Sequence, residues 1–186
     1  MSNIIVVKEF LSHLECSDIL ENSLKTLKLS DAEIYGGNNL ELKILPETRK
    51  SKISFVNDMG FVNDRLKEVL KEKLKINGFD STNLYYFQFT EYDKGGHFDW
   101  HVDSTKEIYP DRYYSCIILL NEDYVDGDLQ IKEKYETTTI QKNTGDLILF
   151  PSTYLHRVSP VLEGKRYTLV NWVMVDTNKP KSKSLI

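Results

Sequence analysis

Apolar residues return at helical spacing in two stretches of the chain. Between Phe10 and Leu27 they fall at Phe10, Leu11, Leu14, Ile19, Leu20, Leu24 and Leu27, and Ser17-Asp18 offers a cap for a break within the run. Residues 61–76 repeat the pattern with Phe61, Val62, Leu66, Val69, Leu70 and Leu74, and Asn77-Gly78 supplies a left-handed stop. From about Leu84 onward the spacing shortens to β-rich runs at 84–92, 98–103, 114–120, 128–131, 137–141, 146–150, 156–161 and 166–175. Asp126-Gly127, Asn143-Thr-Gly145 and Glu163-Gly164 punctuate them as turns. Short strands with tight turns predict two facing sheets, a jelly-roll whose mouth can hold a small ligand. The fold class is therefore mainly β with flanking helices: a double-stranded β-helix, cupin-like core with N-terminal helices packed on one sheet.

No repeat, low-complexity stretch or linker divides the 186 residues. The predicted layout is one domain over 1–178, with helical support in 1–80, the jelly-roll core in 84–175 and a polar tail at 179–186. A net charge of −4 argues against a protein whose main task is to grip phosphates, so nucleic acid is not an expected partner. Two distant cysteines, Cys16 and Cys116, make neither a disulfide framework nor a zinc site. With no run that could span a membrane, the expectation is a cytoplasmic protein in a reducing compartment.

The chemistry concentrates in His97-Phe-Asp-Trp-His101-Val-Asp103, followed downstream by His156 and Arg166. On a strand, positions i and i+2 share a face, so His101 and Asp103 can reach one ion. His156 would complete two imidazoles and one carboxylate, the set with open positions that marks non-haem Fe(II) oxygenases. His97-Phe-Asp99 is a second pair of the same spacing, and on chemistry alone either pair could chelate iron. Arg166 offers two parallel donors to a carboxylate and stays charged when buried; Lys165 should point to the opposite face.

The downstream half resembles the prolyl 4-hydroxylase-like branch of the 2-oxoglutarate/Fe(II)-dependent dioxygenases. The matching residues are Gln88-Phe-Thr-Glu-Tyr92, Gly95, Phe98, His101-Val-Asp103, Arg112, Leu120-Asn121, Gly127-Asp-Leu129, Gly145-Asp146, Phe150-Pro-Ser152, His156-Arg-Val158, Pro160-Val161, Gly164, Arg166 and Trp172. They run from about 84 to 173, and Thr48-Arg49-Lys50-Ser51 weakly echoes an upstream family segment. The resemblance favours His101 and Asp103 over the earlier pair, because Tyr92, Gly95 and Phe98 then fall in register. It implies Fe(II) on His101, Asp103 and His156, with 2-oxoglutarate as co-substrate on Arg166 and Tyr92. Ascorbate is implied as an accessory reductant and O2 as the oxidant. Retention of Asp103 implies hydroxylation, since halogenating relatives lack that carboxylate. Some relatives carry a tyrosine on the strand before Leu-Asn, where this chain has Leu119; Tyr86 and Thr168 are candidates to replace it. Arg112, Trp100 and Trp172 are candidate substrate contacts, with the loop 104–112 as a lid or peptide groove. The implied activity is peptidyl-prolyl 4-hydroxylation with release of succinate and CO2, on a proline-containing peptide or protein. The alternatives are the same chemistry on a free amino acid, another side chain or a small molecule, and a catalytically silent barrel that binds a metal or ligand.

Overall fold

The computed structural model describes residues 3–36, 41–74, 84 and 86–174. Two antiparallel sheets face one another. The larger has the strand order Ile5–Val7, Leu147–Pro151, Arg112–Leu119, Arg166–Met174, Phe87–Tyr92, Lys52–Val56, Ser30–Asp31. The smaller runs Glu136–Thr139, Leu129–Glu133, His156–Val158, His97–His101, Arg49–Lys50. This is the expected jelly-roll core, but residues before 80 also contribute strands to both sheets, beyond the helical support the sequence suggested. The reason is pairing: Lys52–Val56 completes the hydrogen bonds of Phe87–Tyr92, and Arg49–Lys50 those of His97–His101.

The helices are His13–Thr26 and Phe61–Leu74. The first is unbroken at Ser17-Asp18. Its start is set instead by Ser12, whose hydroxyl accepts from the Glu15 N–H while the Glu15 carboxylate accepts from the Ser12 N–H. Cys16, Val62, Leu66 and Leu70 bury against Phe87, Phe89, Ile118 and Leu169 on the outer face of the large sheet. Between the sheets a second core contains Ile117, Leu119, Leu129, Ile131, Ile148 and Phe150. The turn at 143–145 is pinned by Gly145: its φ is +87°, and a Cβ there would meet the Leu11 carbonyl oxygen at 1.9 Å. The expected stop at Asn77-Gly78 and the tail 179–186 lie outside the described residues.

Most predicted strands occur with shifted ends. The 156–161 run divides into His156–Val158 and Val161–Glu163. The 98–103 run becomes His97–His101, so Asp103 lies beyond the strand and the i, i+2 argument does not apply to it. Among the described residues no helix is long and apolar enough to cross a membrane.

Candidate metal and co-substrate site

His101, Asp103 and His156 converge as the sequence predicted, by a different route. His156 and His101 are directly paired across neighbouring strands, but the next registered pair is Val158 with Phe98, so the His97–His101 strand carries a bulge. The bulge breaks the alternation that would have put His97 and Asp99 on the same face as His101. Phe98 turns inward instead and stacks on the His101 ring at 3.4 Å. His97 is spent on carbonyls, with Nδ1 3.1 Å from Gly95 O and Nε2 3.2 Å from Glu47 O. Asp99 is exposed and accepts from the Trp100 N–H. The second pair is therefore not a ligand set.

Asp103 is placed by the chain leaving the strand. Its N–H and that of Ser104 both donate to the Ser152 carbonyl, at 2.9 and 3.1 Å. That ties the segment after His101 to Phe150-Pro-Ser152 at the end of a large-sheet strand. The three ligating atoms lie within 4.8 Å of one another, and Asp103 is 3.6 Å from Nε2 of each histidine. His101 Nδ1 is 2.8 Å from Asp99 O and His156 Nδ1 is 2.9 Å from Tyr154 O. Carbonyls only accept, so each Nδ1 carries the hydrogen and each Nε2 turns its lone pair to the common point. Asp103 Oδ2 accepts from Ser115 Oγ at 2.6 Å and from Trp172 Nε1 at 3.0 Å, which leaves Oδ1 for a metal.

The electrostatics suit a cation. Burial opposes ionisation of Asp103, but the charges and hydrogen bonds of His156, His101 and Ser115 outweigh it, and the carboxyl sits well below the usual range. Burial, with His101 nearby, pushes His156 down to about 4, so its ring is neutral at pH 7 and able to offer a lone pair.

The triad lies in the wall of a cavity of about 820 Å³ between the sheets, which runs outward to an exposed apolar rim of Tyr35, Leu42, Ile44 and Phe55. Tyr92, Arg112 and Trp172 line it. Arg112 is not a free loop charge: its guanidinium is sandwiched 3.7 Å from the Tyr109 ring and 3.8 Å from Trp172. Trp172 thus both lines the cavity and holds the Asp103 carboxylate. Trp100, like Arg166, is not among the residues that line the cavity. Lys132 and Arg157 flank the Trp100 ring at 4.2 and 4.8 Å.

Arg166 is 2% exposed, with its guanidinium 5.2 Å from the ring centre of the wall residue Tyr92. Its Nε and Nη2, the parallel pair that grips a carboxylate, have no hydrogen-bond partner. A buried, unsatisfied guanidinium fork fits the far end of an acidic co-substrate. Lys165 faces the other way, onto Glu91 and Asp93. The residue that sequence reasoning undervalued is Arg49. It is buried in the same cavity wall, stacks 4.5 Å from Phe98 and donates to Ser51 Oγ at 2.8 Å. Burial lowers its pKa, opposed by Tyr92 and Asp103 nearby. The only sequence signal was the faint echo at Thr48–Ser51.

This donor set could hold a metal ion, and comparison with known proteins places the fold and its downstream half beside known ones. The family model described as 2OG-Fe(II) oxygenase superfamily matches residues 87–174. A PKHD-type hydroxylase of Psychrobacter sp. (strain PRwf-1) is 37% identical over 93 residues, covering 46% of this chain and 36% of its own length. One of Aliarcobacter butzleri is 34% identical over 93 residues, covering 46% and 41%. The chain thus spans under half the length of the curated relatives it matches. A Pseudomonas putida prolyl-4-hydroxylase shares the fold at TM-score 0.71 and 18% identity, covering 94% of this chain and 93% of that one. A Trichoplax adhaerens prolyl hydroxylase, solved with a hypoxia inducible factor peptide fragment, gives 0.73 at 16% identity, covering 92% and 83%. Residues 87–174 are thus similar to the 2OG-Fe(II) oxygenase superfamily, and the fold is one that prolyl-4-hydroxylase structures share.

Proposed function

We propose that this protein is an Fe(II)- and 2-oxoglutarate-dependent dioxygenase that hydroxylates a prolyl residue of a peptide or protein. The observation that carries the reading is the triad, with both Nδ1 atoms and one carboxylate oxygen already engaged, opening onto a cavity beside a buried arginine fork. When bound, iron and 2-oxoglutarate supply the oxidant: one atom of O2 enters the substrate C–H bond and the other leaves in succinate, with CO2 released. The chain's own residues provide geometry. His101, Asp103 and His156 would hold the metal; Ser115 and Trp172 orient Asp103; Arg166 and Tyr92 would bind the far end of 2-oxoglutarate. Phe98, Phe150 and the apolar inner core exclude water from the metal side. No separate acid or base is required.

Two features support an extended substrate. The cavity continues past Ile108, Tyr109 and Arg112 to the apolar rim, and the Trichoplax neighbour holds a peptide. Arg49 favours a second reading, the same chemistry on a free amino acid or other small acid, because a second buried cation in the cavity wall suits a substrate carboxylate. The buried thiols Cys16 and Cys116, neither in a disulfide, support a reducing compartment such as the cytoplasm. The test is a mass-spectrometric assay with Fe(II), ascorbate, 2-oxoglutarate and proline-containing peptides, with succinate followed in parallel. A one-oxygen gain on proline coupled to succinate is the expected result. Succinate with no peptide oxidised would redirect the search to small acids; neither signal would leave a silent barrel.

A further inference from the structure

The gap left by Leu119 has an occupant that the sequence did not suggest. Leu119 lies in the apolar inner core, opposite Thr168, and offers no polar group to the Arg166 end of the barrel. Tyr86 is 48% exposed, outside the strand Phe87–Tyr92. Thr168 shares the strand face of Arg166 but has no aromatic body to back a guanidinium.

The loop after Leu120 is fastened around Arg166 from both sides. Asn121 Oδ1 accepts from the Tyr167 N–H at 2.8 Å, and its Nδ2 donates to the Lys165 carbonyl at 2.7 Å. One side chain thereby grips the peptide groups flanking Arg166. Three residues on, Tyr124 is 7% exposed and packs with Tyr92, Val158 and Val161. Two glycines make its seat. A Cβ on Gly164 would be 3.1 Å from Tyr124 Cα, and one on Gly127 would be 3.3 Å from Tyr124 Cε2 and 3.4 Å from Arg166 Cδ. The tyrosine ring and the arginine stem therefore converge on one point. Burial raises the Tyr124 pKa, while the charge and a hydrogen bond of Arg166 act against it.

We infer that Tyr124 is the positioning residue of the Arg166 anchor: its hydroxyl accepts one guanidinium hydrogen and holds the unpaired Nε–Nη2 edge ready for the far carboxylate of a 2-oxo diacid. It takes the part that the missing tyrosine at Leu119 leaves open. A neutral hydroxyl suits this task better than an acid, because a carboxylate at the same place would occupy the fork and cancel its charge. The inference rests on the co-substrate reading proposed above.

The test is calorimetric titration of 2-oxoglutarate onto Mn(II)-loaded, oxygen-free protein, with pyruvate, which has the same 2-oxo acid end and no far carboxylate, as comparator. Tyr124→Phe keeps the ring and its packing and removes only the hydroxyl. It should weaken 2-oxoglutarate about fivefold and leave Mn(II) and pyruvate affinity unchanged. Adding Leu119→Tyr to that variant should restore 2-oxoglutarate binding. Unchanged 2-oxoglutarate affinity in Tyr124→Phe, or equal weakening of pyruvate or Mn(II), would overturn the positioning role. If the unaltered protein binds 2-oxoglutarate no better than pyruvate, the co-substrate reading falls first and this inference with it.

Discussion

At the residue scale, the site depends on which atoms are already engaged. Both histidines spend Nδ1 on backbone carbonyls and Asp103 spends Oδ2 on Ser115 and Trp172, so three defined lone pairs remain. His156→Ala removes one of them and should abolish Fe(II)-dependent succinate formation; retained activity would remove the triad assignment. Trp172→Phe keeps an aromatic wall but releases Asp103, and should weaken Mn(II) binding about tenfold in a direct titration. Arg166→Ala should weaken 2-oxoglutarate at least about tenfold, with Mn(II) affinity unaffected. Equal 2-oxoglutarate affinity would discard Arg166 as the anchor.

Elements bring these residues together by pairing and by ends. The bulge in His97–His101 and the two hydrogen bonds to Ser152 put Asp103 beside His156, so the ligand segment depends on a strand of the opposite sheet. The helices act at a distance, covering the outer face of the strands that bear Arg166 and Ser115. The N-terminal helix is held by its capping box and by Glu15, which also receives Arg65 of the second helix at 2.8 Å. Ser12→Ala should lower stability by about 1 kcal/mol, read by denaturant unfolding. The hydrogen bond from Arg65, then that from Ser12, holds Glu15 down to about 2 from its ordinary 4.5. A depressed carboxyl stabilises the fold above its unfolded pKa, so this contribution should be complete above about pH 4.5 and fade as pH falls toward about 2. The difference in unfolding temperature between the unaltered protein and Glu15→Gln should shrink across that window.

For the whole molecule, the cavity is bounded by residues from both sheets and from the segments before residue 56. Occupying it should therefore stabilise the assembled core. Mn(II) with 2-oxoglutarate, each at about one hundred times its dissociation constant, should raise the unfolding temperature by roughly 10–20 °C. A chelator should reverse the whole gain. Arg166→Ala should keep the part due to metal and lose most of the part due to 2-oxoglutarate.

The sequence by itself determined the β-rich core, the two helices, and the side-chain types of the candidate triad with the cation that follows them. These are local properties: periodicity marks which face is buried, and iron and carboxylate chemistry restricts which side chains can serve. It also carried the choice of His101 over His97, through the register of neighbouring motif residues. What only the tertiary structure decided depends on a partner strand or a distant loop. The bulge that turns His97 and Asp99 away is defined against His156–Val158 and cannot be seen in one strand alone. Trp100 packs against Lys132 across the sheet, while Arg49 enters the cavity wall from a short strand paired with His97–His101. Trp172 and Ser115 reach Asp103 from 69 and 12 residues away. Tyr124 arrives beside Arg166 because Asn121 clasps the chain on either side of it. Sequence spacing fixes which residues share a face; which groups meet across the core is set by how the two sheets close on each other.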